Sequence, residues 1–214
     1  AGVEATECRT LLNNGYGEHN IQGIGDKHVP LIHNVMNTDF VVGISDQATN
    51  NLNLMFNTDV GKKYLISKKG FDNNFVNRLP EFGFSTIANI LASIKLAKYM
   101  KLGSEDAIIT VATDGADLYL SELQKTKEDF TGIYDETACA EIYGQYLKGI
   151  STDNTLELNQ KEKERIFNLG YYTWVEQQGV DINEFEKRRD QSFWNDHHNY
   201  MLSLDNRIKE FNSM

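Results

Sequence analysis

Cysteine, proline and positive charge are the scarce commodities of this 214-residue chain. It has two cysteines, Cys8 and Cys139, far apart and in no C-x-x-C arrangement. That excludes a cysteine-built zinc site and any disulfide framework, and leaves two buried thiols in a reducing cytoplasm as the expectation. Its two prolines, Pro30 and Pro80, fall early, so everything beyond them is free to be helical. No apolar run approaches the roughly 20 residues needed to span a bilayer, and no signal-peptide pattern is visible, so no membrane partner is expected. Lysine and arginine number 21 against 31 acidic residues, a net charge of −10. A general nucleic-acid binder needs a basic face to displace counterions, so that class is excluded too. Internal repeats and low-complexity tracts are lacking as well.

What is present starts with Ala107–Tyr119, AIITVATDGADLY. Ala107 to Ala112 is small, β-branched or apolar throughout, the composition of a parallel strand covered on both faces. It stops at Thr113-Asp114-Gly115, and in open α/β sheets ligands bind at the carboxyl ends of strands. An amphipathic segment from Gly83 to Ala97 precedes it, with Ser85 as N-cap and Ile87, Ile90, Leu91, Ile94 and Ala97 as inner stripe. Lys95 and Lys98 read as helix-surface residues. Ala1–Ala5 reads as a buried strand with nothing before it, and a parallel strand needs neighbours reached by crossovers, so the chain is expected to be cut into rather than begun. Phe40–Ile44 is a second short strand, and Ser45 caps a helix to about Phe56. Gly61–Leu79 reads as two short helices split at Gly70 in a surface insertion. Beyond Phe130 helices are expected over Asp135–Leu147, Gln160–Gln178 and about Asn183–Asn199, with Asn159 and Glu162 spaced as a capping box. No convincing strand lies past Ala112.

Candidate chemistry is concentrated in loops. Leu11–Val29 has four glycines within the eleven residues Gly15–Gly25, too many for a stable helix or strand, and long loops in compact domains are usually functional. Within it Gln22-Gly23-Ile24-Gly25 lets backbone amides approach a ligand closely, but opens no dinucleotide-binding fingerprint. His19, His28 and His33 match no common zinc spacing, and no metal site is expected. His197-His198 is expected to face solvent. Thr113 either satisfies the backbone or aims its hydroxyl into the crevice at a heteroaromatic nitrogen; Asp114-Gly115 is either a ligand site or a bare turn. The aromatic stripes Phe167, Tyr171, Trp174 and Phe185, Phe193, Trp194 read as core packing.

Taken in order, Gln22-Gly23-Ile24-Gly25 with His28-Val29-Pro30, then Phe84-Ser85-Thr86-Ile87-Ala88-Asn89, then the strand ending in Thr113-Asp114-Gly115, resemble the cysteine synthase branch of the tryptophan-synthase-β-like pyridoxal-phosphate enzymes. The resemblance covers about residues 1–125. It implies an α/β fold, the C-terminal part of a parallel-sheet large domain (residues 1–130), with a helical C-terminal extension (131–214) packed on it. It implies pyridoxal 5'-phosphate as cofactor, with Gln22 and Gly23 flanking the ring and Thr113 or Asp114 meeting its nitrogen. A hydroxyl partner there does not enforce ring protonation, which favours β-elimination and β-replacement on a serine- or cysteine-type amino acid. The family's Schiff-base lysine context, its S-G-N-T-like carboxylate loop and its G-T-G-G-T-like phosphate loop do not occur in this sequence. No catalytic residue is therefore assigned here; the lysine is expected in a missing N-terminal portion or a second chain. A homo-oligomer in the cytoplasm is implied. The alternatives are a non-catalytic regulatory protein retaining half of this fold, and a small-molecule or phosphate-binding module using the glycine loop.

Overall fold

A computed structural model describes residues 1–213, the side chain of Leu202 excepted. It is an α/β structure dominated by helix, with a mixed sheet of three strands in the order β1-β2-β3. Strand β1 (Gly2–Ala5) runs parallel to β2 (Phe40–Ile44) in the register Gly2↔Val41 to Ala5↔Ile44. Both strands lie where the sequence predicts them. The third strand, β3 (Thr155–Glu157), was not predicted: three residues are too few to show an alternation. The bonds Gly43 N–H to Asn154 O (2.8 Å) and Leu158 N–H to Asp39 O (2.7 Å) run it antiparallel to β2.

The chain divides into two compact units, one of Ala1–Lys27 with Val41–Leu156, the other of His28–Phe40 with Glu157–Met214, whose last residue lies outside the described residues. In the first unit, helix α1 (Thr10–Asn13) is a single turn. It is capped by the buried carboxylate of Glu4, which accepts the amides of Leu11 and Leu12, both at 2.9 Å. Helix α2 (Asp46–Phe56) starts at Ser45 as expected, its hydroxyl accepting Ala48 N–H. Helices α3 (Asp59–Lys69) and α4 (Asn73–Arg78) are split at Gly70, which takes φ +71°. They are no surface insertion, because Tyr64, Leu65 and Val76 belong to the core. Around them pack Leu52 and Met55 of α2 and Phe84, Ile87 and Leu91 of α5 (Phe84–Met100). Helix α6 (Leu120–Asp129) follows a 3-10 turn over Ala116–Tyr119. Helix α7 (Glu136–Tyr143) runs on into a π turn and brings Cys139 and Ile142 into the same core. The sequence sets a boundary at Phe130; these contacts place residues 131–156 with the first unit.

Two expectations in this unit are overturned. Lys95 is not a surface residue: it is 5% exposed, its ammonium donating to the backbone oxygen and carboxylate of Asp153 at 2.7 and 2.8 Å. A long aliphatic stem suits a buried face once the head finds acceptors. And Ala107–Ala112 is not a buried strand. It has no regular secondary structure and joins no sheet among the described residues, and Ile109 is 96% exposed. Its composition is that of a covered strand without the neighbours that would cover it.

In the second unit, α8 (Gln160–Tyr171) is capped by Asn159, whose side chain accepts Glu162 N–H at 3.0 Å. Glu162 turns instead to Arg165, so only half of the capping box forms. The predicted helix from Asn183 is broken: α9 (Ile182–Glu186) and a 3-10 turn end at Asp190, and α10 (Gln191–Ser213) begins there. Phe167 and Phe185 are buried and in ring contact at 4.6 Å, as the aromatic stripe requires. Trp174 donates to Val29 O at 2.8 Å, and Lys163 to Met36 O and Asp39, which ties the helices to residues 28–40.

Candidate functional site

The site forms where this segment ends against the first turn of α5. Gly83, not Ser85, is the N-cap of this helix, which moves Ser85 and Thr86 into its buried first turn. Three bonds hold the passing segment there. Asn89 Nδ2 donates to Val111 O (3.0 Å), Thr113 N–H to Thr86 Oγ1 (2.9 Å), and Gly83 N–H to Asp114 O (2.8 Å). Glycine at 83 is required by this approach, since a Cβ would stand 2.6 Å from Asp114 O and 2.9 Å from the Tyr119 ring.

The result is a line of three hydroxyls. Thr113 Oγ1 lies 2.5 Å from Ser85 Oγ and 3.2 Å from Thr86 Oγ1. Gly23 comes to the same place from the glycine loop: it takes φ +86°, and a Cβ on it would touch Ser85 Oγ at 3.4 Å. Of the residues singled out in the sequence, Gly23 and Thr113 are therefore brought together, with Ser85 between them. Gln22 is exposed beside Gly23. Asp114 turns away to accept the Tyr119 hydroxyl at 3.1 Å. Burial, and then this carboxylate, push the Tyr119 phenol up from its ordinary pKa and keep it a donor. Tyr119 is held in turn by an edge-to-face contact with Phe84, centroids 5.2 Å apart.

Ser85 and Thr86 are the residues sequence reasoning undervalued. Two adjacent hydroxyls in the first turn, directly before the apolar stripe that starts at Ile87, were the available signal, and their consecutive burial follows once the cap moves to Gly83.

Proton bookkeeping defines what this cluster can bind. Three hydroxyls carry three protons, and the two bonds between them use two. One proton is left for an outside acceptor, and Thr113, itself exposed, is the member placed to offer it. A neutral aromatic nitrogen is a suitable acceptor for that donor.

A larger cleft of about 640 Å³ lies elsewhere in the same unit. Glu7, Asp46, Glu122, Asp129 and Glu141 line it against a single lysine, Lys125. Burial raises the Asp46 carboxyl above its ordinary value, although Asn20 N–H donates to it. So acidic a wall repels a phosphorylated ligand, which takes this cleft out of consideration for such a cofactor. No protein-family model, no curated protein and no solved structure matches this chain.

Proposed function

We propose that this chain forms the ring-nitrogen side of a pyridoxal-phosphate site in an enzyme carrying out β-replacement or β-elimination on a serine- or cysteine-type amino acid. The observation that carries the reading is the convergence of Gly23, Ser85, Thr86 and Thr113 from three separate stretches of sequence. These are the stretches on which the resemblance to the cysteine synthase branch rests. When bound, the cofactor would supply the electron sink for losing or replacing a group at the β-carbon.

The chain's own residues do three things in this reading. Thr113 offers one hydroxyl proton to the ring nitrogen without transferring it, because an alcohol is far too weak an acid to protonate a pyridine. Ser85 and Thr86 fix the rotamer of Thr113, so that donor is oriented before the ring arrives. Tyr119 occupies Asp114 and keeps its carboxylate from the ring. The lysine and the phosphate cradle come from an N-terminal portion or a second chain. Two features support such a partner: β1 stands at an edge of the sheet, and the apolar segment through Ile108, Ile109 and Val111 is exposed.

Titration of the chain with pyridoxal phosphate ¹⁵N-labelled in the ring tests this. A weak complex is expected, its nitrogen resonance shifted by a hydrogen bond that survives in Thr113→Ser and is lost in Thr113→Val. A shift that follows Asp114→Asn and ignores Thr113 would overturn the assignment. No complex at millimolar cofactor would favour a non-catalytic protein that retains half of the fold.

A further inference from the structure

Helix α10 spans 23 residues, about 34 Å at 1.5 Å per residue, and carries a face its own unit leaves open. Trp194, His197, Met201, Leu204, Ile208 and Phe211 follow one another at alternating spacings of three and four. That is the a/d seam of a coiled coil. Met201, Ile208 and Phe211 are all more than half exposed, and Tyr200 flanks them at 54%. At its start the helix is anchored: Trp194 donates to Arg188 O at 3.0 Å, and the His197 ring lies tilted against Phe193 with centroids 4.2 Å apart. We propose that this face pairs with α10 of a second copy of the same chain, antiparallel, and makes the protein a homodimer.

Charge decides both the occupant and the direction. Copies with a net charge of −10 repel one another, so association requires a face free of carboxylates, and this seam has none. An antiparallel pairing sets Trp194 against Phe211, His197 against Ile208 and Met201 against Leu204 of the second copy. Its flanks then bring His198 opposite Asp205 and Tyr200 opposite Arg207, a hydrogen bond and a cation–π contact, each formed twice by the two-fold symmetry. A parallel pairing would stack His197 on His197 and leave Arg207 facing Asn212. A membrane surface is a poorer occupant, because Asp196, Asp205 and Glu210 outnumber Arg207 and Lys209 on the polar side.

Sedimentation equilibrium of the full chain, from low to hundreds of micromolar, tests the pairing. Wild type is expected to approach twice the chain mass. Met201→Asp and Ile208→Asp should each weaken association about tenfold or more, with the circular dichroism spectrum unchanged because both side chains are exposed. Ile109→Asp, on the apolar segment of the other unit, should leave this dimer intact, which separates it from the association expected there. A wild-type monomer throughout, a dimer indifferent to both α10 variants, or a monomer that instead floats with phosphatidylcholine–phosphatidylserine vesicles would overturn the proposal. For direction, Met201→Cys alone should not cross-link under oxidation, whereas Met201→Cys with Leu204→Cys should, since Cys8 and Cys139 are buried. Rapid cross-linking of the single variant would mean a parallel pair and overturn the register.

Discussion

Replacing Gly83 by alanine isolates the contact on which the hydroxyl cluster is built. Gly83 has φ −80° and ψ −176°, an extended conformation that any residue adopts, so backbone strain contributes nothing. Removing glycine's freedom from the unfolded chain would by itself stabilise by about 0.4–1 kcal/mol. Against this, the new methyl would lie 2.6 Å from Asp114 O and 2.9 Å from the Tyr119 ring, and the first of these neighbours is backbone that cannot rotate away. The segment must lift. Lifting costs about 1–3 kcal/mol of overpacking and weakens the bonds from Gly83 N–H to Asp114 O and from Thr113 N–H to Thr86, each worth about 0.5–1.5 kcal/mol. The expected net loss is about 2 kcal/mol, read as a lower urea midpoint. Alanine is also a poor N-cap, which alone could lower stability, so Gly83→Ser is the deciding variant. Serine is a strong cap but carries the same Cβ. If the contact dominates, serine is as damaging as alanine and the Asp114-bonded amide exchanges faster in both. Serine at or above wild-type stability would refute the reasoning.

Lys95→Met should change stability by no more than about 1 kcal/mol at neutral pH, because Asp153, its partner, is 63% exposed. The hydrogen bond from Lys95 holds the Asp153 carboxyl below its ordinary 3.8. The pair's contribution is therefore complete above that value and disappears as pH falls through the lower folded one. The gap between wild type and variant, followed by urea melts from neutral pH downward, should shrink there; a gap constant over that range would sink the assignment. Gly70→Ala should cost about 1 kcal/mol purely through its left-handed backbone, and Gly70→Asn less, since no atom lies within 4 Å of the added Cβ; equal melting of all three would contradict it. Burial raises the Cys139 thiol above its ordinary pKa, and Cys8 is buried too, so Ellman's reagent should find both thiols only in denaturant.

The elements legible in the sequence are those whose signals are local. β2 with its Ser45 cap, the Gly70 break and the Asn159 cap each depend on residues within one turn of each other. What escaped the sequence depends on distant partners. Lys95 looks like any exposed helix lysine until Asp153, 58 positions on, supplies its acceptors. Ala107–Ala112 has a strand's composition, but composition cannot supply the neighbours that make a strand. Ser85 shows the same limit at the site: the capping signal was read two residues too late because Gly83 is fixed by a contact with Asp114, not by a side chain of its own. Gly23 and Thr113 could be named from residue type and order alone, while the Ser85 hydroxyl that joins them could not.

The split composition of the second unit bears on how the chain can be shortened. Residues 28–40 reach their partners only after more than a hundred intervening residues, so the entropy of closing that loop must be overcome before Trp174 meets Val29 or Lys163 meets Met36. Helices α8 to α10 are then not a detachable tail. A chain ending at Leu156 would strip Val29 and Val35 of the helices that bury them and convert a folded segment into a sticky loop. Premature termination before Trp174 would thus be felt near the beginning of the chain.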